Sequence, residues 1–70
     1  MWTNGTINGF EFYAKRYEEG SVYGINEGRI SKLEIRKNGK TLANYDRGWD
    51  LEPKGEALLA TYEEILAKYN

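Results

Sequence analysis

The chain contains no cysteine and no histidine among its 70 residues, and these absences exclude several chemistries. Without cysteine there is no disulfide framework, and without either residue a zinc site of the usual type cannot form. Serine–histidine and cysteine–histidine nucleophile pairs are excluded as well. The acidic residues are not clustered in a way that predicts a magnesium site or a pair of catalytic carboxylates. We therefore expect a protein that is not an enzyme, with no catalytic residues, metal or cofactor.

Long apolar runs are also missing from the chain. No stretch approaches the roughly 18 apolar residues of a membrane span, and residues 1–5 lack the pattern of a secretory signal. We therefore expect a cytoplasmic protein without a membrane partner. A single proline, 40% hydrophobic and 30% charged residues are typical of one globular domain, over residues 1–70. Because so short a chain buries a modest core, self-association would add stability, and we expect a homo-oligomer.

Charge is distributed unevenly along the chain, although the net charge is only −1. Residues 29–47 carry six cationic against two acidic side chains, a net charge of +4. The flanking segments are acidic, with net charges of −2 for residues 1–28 and −3 for residues 48–70. These acidic segments would repel a long polyanion, so we do not expect nucleic acid as the main partner.

Two Asn-Gly pairs, at residues 8–9 and 38–39, are strong signals for β-hairpins. Each would form a two-residue turn between strands with one apolar face. In the second hairpin this turn would place Ile35 opposite Leu42. Strict alternation from there would leave Tyr45 on the other face of the sheet.

A helix is predicted from Glu56 to Tyr69, where six apolar side chains fall at i, i+1, i+4, i+7, i+8 and i+11. This stripe is wide enough to cover a small sheet. The predicted fold class is therefore α+β: a four-stranded antiparallel sheet made of two hairpins, with one C-terminal helix packed on it (ββββα).

The connection between the hairpins, residues 18–28, contains three glycines at a spacing of four, which indicates tight or left-handed backbone. Loops of this length in small domains are often functional. Ile30 falls out of phase with the strand that follows, which predicts either a bulge near Ser31 or a strand that starts after Ser31.

The stretches Gly24–Lys32 and Tyr45–Asp50 flank the second hairpin, which would bring them together at one end of the sheet. Backbone N–H groups and nearby cationic side chains there would cradle a phosphate, with an aromatic ring stacked on a base. The first stretch lacks the spacing of a Walker A loop, and the alternative is a tight, solvated strand entry. The predicted ligand-binding residues are Tyr23, Gly24, Asn26, Gly28, Arg29, Ser31, Lys32, Arg47 and Trp49.

The segment Tyr45–Asp50 also has a structural interpretation. Arg47 lies between Asp46 and Asp50, so an internal ion pair would lock the turn from sheet to helix. Gly48 would take a positive φ, and the tryptophan that follows would pack on the helix rather than bind a ligand.

Nearly the whole chain carries recognisable motifs: the opening Trp-x-x-Gly-x-Ile-x-Gly, the stretch Ser21–Leu33, the segment Asn44–Asp50 and a terminal helix ending in Tyr-Asn. In these motifs the chain resembles a small domain-of-unknown-function family of Gram-positive bacteria and their phages and prophages. The resemblance implies a phage or mobile-element gene whose product works in the host cytoplasm. It implies no activity.

Three hypotheses for function follow. The first is a counter-defence factor that sequesters a small nucleotide-type immune signal. It would hold the phosphate with Arg29, Lys32 and Arg47 and stack the base on Tyr23 or Trp49. The second is an inhibitor that blocks a host protein through exposed aromatic residues and the acidic helix. The third is a nucleic-acid accessory protein that uses the basic hairpin. We favour the first, because a compact cationic spot on an acidic protein suits a small ligand better than a duplex.

Overall fold

The computed structural model describes residues 1–70 as one five-stranded sheet and one α-helix. The strands are β1 (Trp2–Ile7), β2 (Phe10–Arg16), β3 (Ile30–Lys37), β4 (Lys40–Asp46) and β5 (Trp49–Leu51). A short 3₁₀ turn spans Ile25–Glu27, and the helix α1 spans Glu56–Tyr69. Neighbouring strands pair antiparallel in the order β1-β2-β3-β4-β5. The α+β class and the C-terminal helix are confirmed, but the predicted number of four strands was wrong.

Both predicted Asn-Gly turns are present, at residues 8–9 and 38–39. The two asparagines have φ of 54°, and the glycines have φ of 82° and 76°. Left-handed backbone at both central positions matches the right-handed twist of the paired strands. In the first hairpin the strands pair from Ile7 opposite Phe10 onward, as predicted.

The second hairpin departs from its predicted register through a bulge. Ile35 pairs with Ala43 rather than with Leu42, because the register shifts by one residue between β3 and β4. The extra residue reverses the alternation that follows it. Tyr45 therefore pairs with Leu33 and is 7% exposed on the core face, whereas the sequence predicted it on the opposite face.

The fifth strand, β5, replaces the expected direct turn from sheet to helix. Arg47 takes the left-handed conformation, with φ of 57°, and the positive φ predicted for Gly48 does not occur. The Asp46 N–H donates to the Gly48 carbonyl at 2.8 Å, which closes a tight turn. Trp49 then pairs with Tyr45 across β4 and β5.

The bulge predicted near Ser31 is confirmed. Lys15 pairs with Lys32 across β2 and β3, but Arg16 pairs with Ile30, so Ser31 is the extra residue. The Ser31 carbonyl accepts a hydrogen bond from the Arg47 N–H at 2.9 Å. The bulge therefore joins the start of β3 to the β4–β5 turn.

The helix α1 covers one face of the sheet, with its predicted bounds confirmed. Its buried side chains are Leu58, Thr61 and Ile65, while Leu59 of the predicted stripe is 40% exposed. The Asn8 side chain donates to Thr61 Oγ1 at 3.2 Å, which ties the first turn to the helix. The buried apolar residues are Phe10, Phe12, Ala14, Ile25, Ile30, Leu33, Ile35, Ala43, Tyr45, Leu58 and Ile65. No helix has the length and apolar character needed to cross a membrane.

The connection of residues 18–28, which we call the glycine loop, lies against the end of α1, where Asn70 holds it and the start of β3. The Asn70 Oδ1 accepts from the Ile30 N–H at 2.9 Å, and its Nδ2 donates to the Ile25 carbonyl at 3.0 Å. A Cβ on Gly28 would collide with the Asn70 side chain, and one on Gly24 would collide with the Gly28 carbonyl oxygen. The sequence predicted tight or left-handed backbone at the loop glycines. Gly24 and Gly28 are explained by the first of these, because the backbone approaches other atoms too closely there for a side chain.

We predict that Asn70→Ala destabilises the fold by about 2 kcal/mol, or about 10 °C in Tm, because the Ile30 N–H loses its partner and the Ile25 carbonyl keeps only the Gly28 N–H. Thermal unfolding followed by circular dichroism measures this change. Asn4→Ala, at an exposed position of β1, is the control and should stay within about 0.5 kcal/mol of the parent. Equal Tm values for the two variants would contradict the role given to Asn70.

Candidate ligand-binding site

An open cleft of about 440 Å³ lies where β2 and β3 meet the glycine loop and the β4–β5 turn. Three cationic side chains and four hydroxyl-bearing side chains surround it, and no carboxylate lines it. We refer to these residues as the cationic cleft. They are Lys15, Tyr17, Ser21, Tyr23, Ser31, Lys32 and Arg47.

The sheet register forces two of these cations together. Lys15 and Lys32 are direct partners across β2 and β3, so their side chains leave the same face of the sheet. Like charges in directly opposite positions destabilise a sheet, and an anion between them would relieve that repulsion. Lys15 Nζ also lies 5.6 Å from the centre of the Tyr17 ring, which places this cation beside an aromatic face.

One carboxylate outside the lining competes for the cations. Asp46 Oδ1 lies 3.9 Å from Lys32 Nζ and 3.8 Å from Arg47 Nε. These side chains are between 40% and 67% exposed, so both ion pairs are weakened by solvent. The sequence placed Arg47 in an internal ion pair between Asp46 and Asp50. Arg47 pairs with Asp46, but no ion pair joins it to Asp50. The cations therefore remain available to a more strongly charged anion.

Two tyrosines present their rings at the cleft while the loop backbone is fixed. Tyr23 is 58% exposed and Tyr17 is 51% exposed. The buried Tyr45 hydroxyl donates to the Tyr23 carbonyl at 2.7 Å, and the Tyr23 N–H donates to Ser21 Oγ at 3.2 Å. A fixed backbone that carries exposed rings is a suitable platform for stacking on a planar ligand.

Four of the nine predicted ligand-binding residues line the cleft: Tyr23, Ser31, Lys32 and Arg47. Arg29 lies outside it. Its guanidinium donates to the Tyr69 carbonyl at 3.4 Å, as does that of Arg16 at the same distance. Cationic donors suit the negative end of a helix, so the geometry gives Arg29 a role in capping α1.

The remaining loop residues of the prediction, Gly24, Asn26 and Gly28, do not line the cleft either. The Gly24 N–H donates to the Ser21 carbonyl at 3.0 Å, and the Gly28 N–H donates to the Ile25 carbonyl at 2.8 Å. These amides are used inside the loop, so they are not free to cradle a phosphate. Asn26 is exposed in the 3₁₀ turn with φ of 53°.

The sequence allowed two roles for Trp49, ligand binding or packing on the helix, and the structure shows the packing role. Its ring packs edge-on against Tyr45, with centres 5.0 Å apart, and against Tyr62, with centres 5.5 Å apart. It is half-buried at the edge of the core. Trp49 therefore joins β5 to the helix and does not line the cleft.

Lys15, Tyr17 and Ser21 line the cleft but were not among the predicted site residues. Their signal lay in the pairing of β2 with β3, which sets Lys15 beside Lys32. The Asn-Gly signals predict each hairpin separately and do not specify how the two hairpins pair with each other.

Comparison with known proteins assigns this α+β domain to one protein family. The chain belongs to the family described as Domain of unknown function (DUF7678), whose model matches residues 1–70. No curated protein and no solved structure gives a significant match. The resemblance to a domain-of-unknown-function family is thereby confirmed.

Burial raises the pKa of Tyr62 above its ordinary value, with further contributions from Tyr45, Glu52 and Glu63. The unfolded chain therefore loses this proton at a lower pH than the folded chain does, and stability falls as pH rises above about 10. We predict that Tyr62→Phe shows a smaller loss of unfolding free energy than the parent in this alkaline range. Denaturant unfolding at a series of pH values measures the difference between the two proteins. Parallel curves would contradict the shifted pKa.

Proposed function

We propose that this protein binds a small nucleotide-type ligand in the cationic cleft and sequesters it without chemical change. The observation that carries the proposal is the lining itself: three cations, no carboxylate and two exposed tyrosine rings around one open cleft. A nucleotide carries an anionic phosphate and a planar base, and the cations and the tyrosines of the cleft have the chemistry complementary to these two groups.

Each group has a distinct role in this proposal. Lys15 and Lys32 act as point charges toward the phosphate, and the Arg47 guanidinium offers a planar pair of donors. The hydroxyls of Ser21 and Ser31 add neutral donors. A base stacks on Tyr23, whose ring is the most exposed aromatic surface of the cleft. Because the cations are exposed, affinity should fall as salt concentration rises.

The biological role that we propose is counter-defence, with the ligand a nucleotide-type immune signal in the host cytoplasm. This part rests on the resemblance of the sequence motifs to a family of Gram-positive bacteria and their phages. A non-catalytic sponge needs only a binding site, and the absence of histidine and cysteine is consistent with that role. Self-association, expected from the small size of the chain, stays a prediction.

A second candidate function is the blocking of a host protein. Large apolar side chains of Met1, Val22 and Leu51 are between 40% and 79% exposed, and an interface would remove their apolar surface from water. Val and Leu are under-represented among the residues that dominate the affinity of interfaces, so we rank this function below ligand binding.

The third hypothesis, a nucleic-acid accessory role of the basic hairpin, receives less support. Arg36 Nε lies 3.6 Å from Glu34 Oε2, and its guanidinium also donates to the Gly39 carbonyl. Lys37 Nζ lies 4.7 Å from the centre of the Phe10 ring. Two of the hairpin cations thus have partners within the fold.

The proposal predicts opposite effects for two neighbouring substitutions on the binding of AMP. Lys32→Ala removes a cation and should weaken binding about tenfold, as expected for a charged hydrogen bond. Asp46→Asn removes the competing carboxylate and should strengthen binding. Isothermal titration calorimetry at low salt measures both dissociation constants.

Lys40→Ala is the matched control, because it makes the same charge change at the exposed tip of the second hairpin. It should leave AMP binding within about twofold of the parent, since its charge is remote and screened. The proposal fails if the parent does not bind AMP, or if Lys40→Ala weakens binding as much as Lys32→Ala does.

A further inference from the structure

A second depression of about 110 Å³ adjoins the cationic cleft on the open face of the sheet. Trp2 and Tyr13 supply its aromatic surface, and Glu34 and Asp46 supply carboxylates. Lys32 lines both depressions, so they share one wall. We refer to this second depression as the aromatic groove.

One cross-strand row connects the two depressions. Trp2 pairs with Lys15, Lys15 with Lys32, and Lys32 with Asp46, so the row crosses four strands on one face. Strands lie about 4.8 Å apart, which puts the Trp2 backbone roughly 10 Å from that of Lys32. Trp2 is therefore the cross-strand neighbour of Lys15, which lines the cationic cleft, and Asp46 ends the row on the other side of Lys32.

Trp2 has no structural role that would account for its ring. It is 59% exposed at the edge strand and is not among the side chains packed against the core. Trp49, the other tryptophan, packs against two tyrosines of the core edge. An exposed tryptophan next to two cations is a typical stacking surface for a base.

Resting on the proposed function, we infer that the ligand is a dinucleotide that fills both depressions. Its phosphates lie among Lys15, Lys32 and Arg47. One base stacks on Tyr23 in the cationic cleft, and the second stacks on Trp2 in the aromatic groove. The carboxylates of Glu34 and Asp46 disfavour phosphate in the groove and suit an amino group of a base.

The experiment compares cyclic di-AMP with AMP, because both carry close to two negative charges but only the first has two bases. Calorimetry should show cyclic di-AMP binding to the parent about tenfold more tightly than AMP. Trp2→Ala should remove most of this preference while leaving the AMP dissociation constant within about twofold. Trp2→Phe, which keeps a ring, should retain part of it.

Thr6→Ala is the control, because Thr6 is an exposed residue on the same face of β1, four residues from Trp2. It should keep the preference of the parent. The indole N–H signal of Trp2 in NMR spectra should shift with cyclic di-AMP and stay in place with AMP.

The outcomes separate this inference from the proposed function. If AMP and cyclic di-AMP bind equally and Trp2→Ala changes neither, the dinucleotide inference is overturned while the nucleotide site stands. If neither compound binds to the parent, both proposals fail. If Trp2→Ala weakens both ligands equally, Trp2 contacts the first base, and the two-base arrangement is contradicted.

Discussion

The clamp between Asn70 and the glycine loop is the contact on which the shape of the site depends. The side-chain amide of Asn70 accepts a hydrogen bond from the Ile30 N–H and donates one to the Ile25 carbonyl. It therefore joins the end of α1 to the glycine loop and to the start of β3. Gly28 is required there because any side chain would occupy the volume of the Asn70 amide. Because the loop is held in this way, Tyr23 lines the cationic cleft from a fixed backbone.

Two bulges complete the arrangement from the side of the sheet. At the Ser31 bulge, the Ser31 carbonyl of β3 accepts a hydrogen bond from the Arg47 N–H of the β4–β5 turn. The bulge in β4 places Tyr45 on the core face of the sheet. From there the Tyr45 hydroxyl reaches the Tyr23 carbonyl at 2.7 Å. A regular sheet would place that hydroxyl on the opposite face, so the irregularities connect the core to the site.

Local signals predicted the parts of the fold that depend on local chemistry. Both Asn-Gly turns, the bounds of α1 and the bulge at Ser31 follow from residue type and periodicity. The bulge in β4 and the strand β5 depend on the buried tyrosine and on Arg47 in a left-handed conformation, for which the sequence carries no distinct signal. Four predicted site residues line the cleft, whereas Arg29 and Trp49 serve the helix end and the core edge.

The central claim is that the cationic cleft binds a nucleotide, and the most direct test is a titration with AMP followed by the backbone amide signals in two-dimensional NMR. The claim predicts that the perturbed amides cluster at residues 15–24, 31–32 and 46–48, around the cleft. It also predicts little change along α1, which lies on the opposite face of the sheet. Perturbations confined to residues 56–69, or none at all, would contradict it.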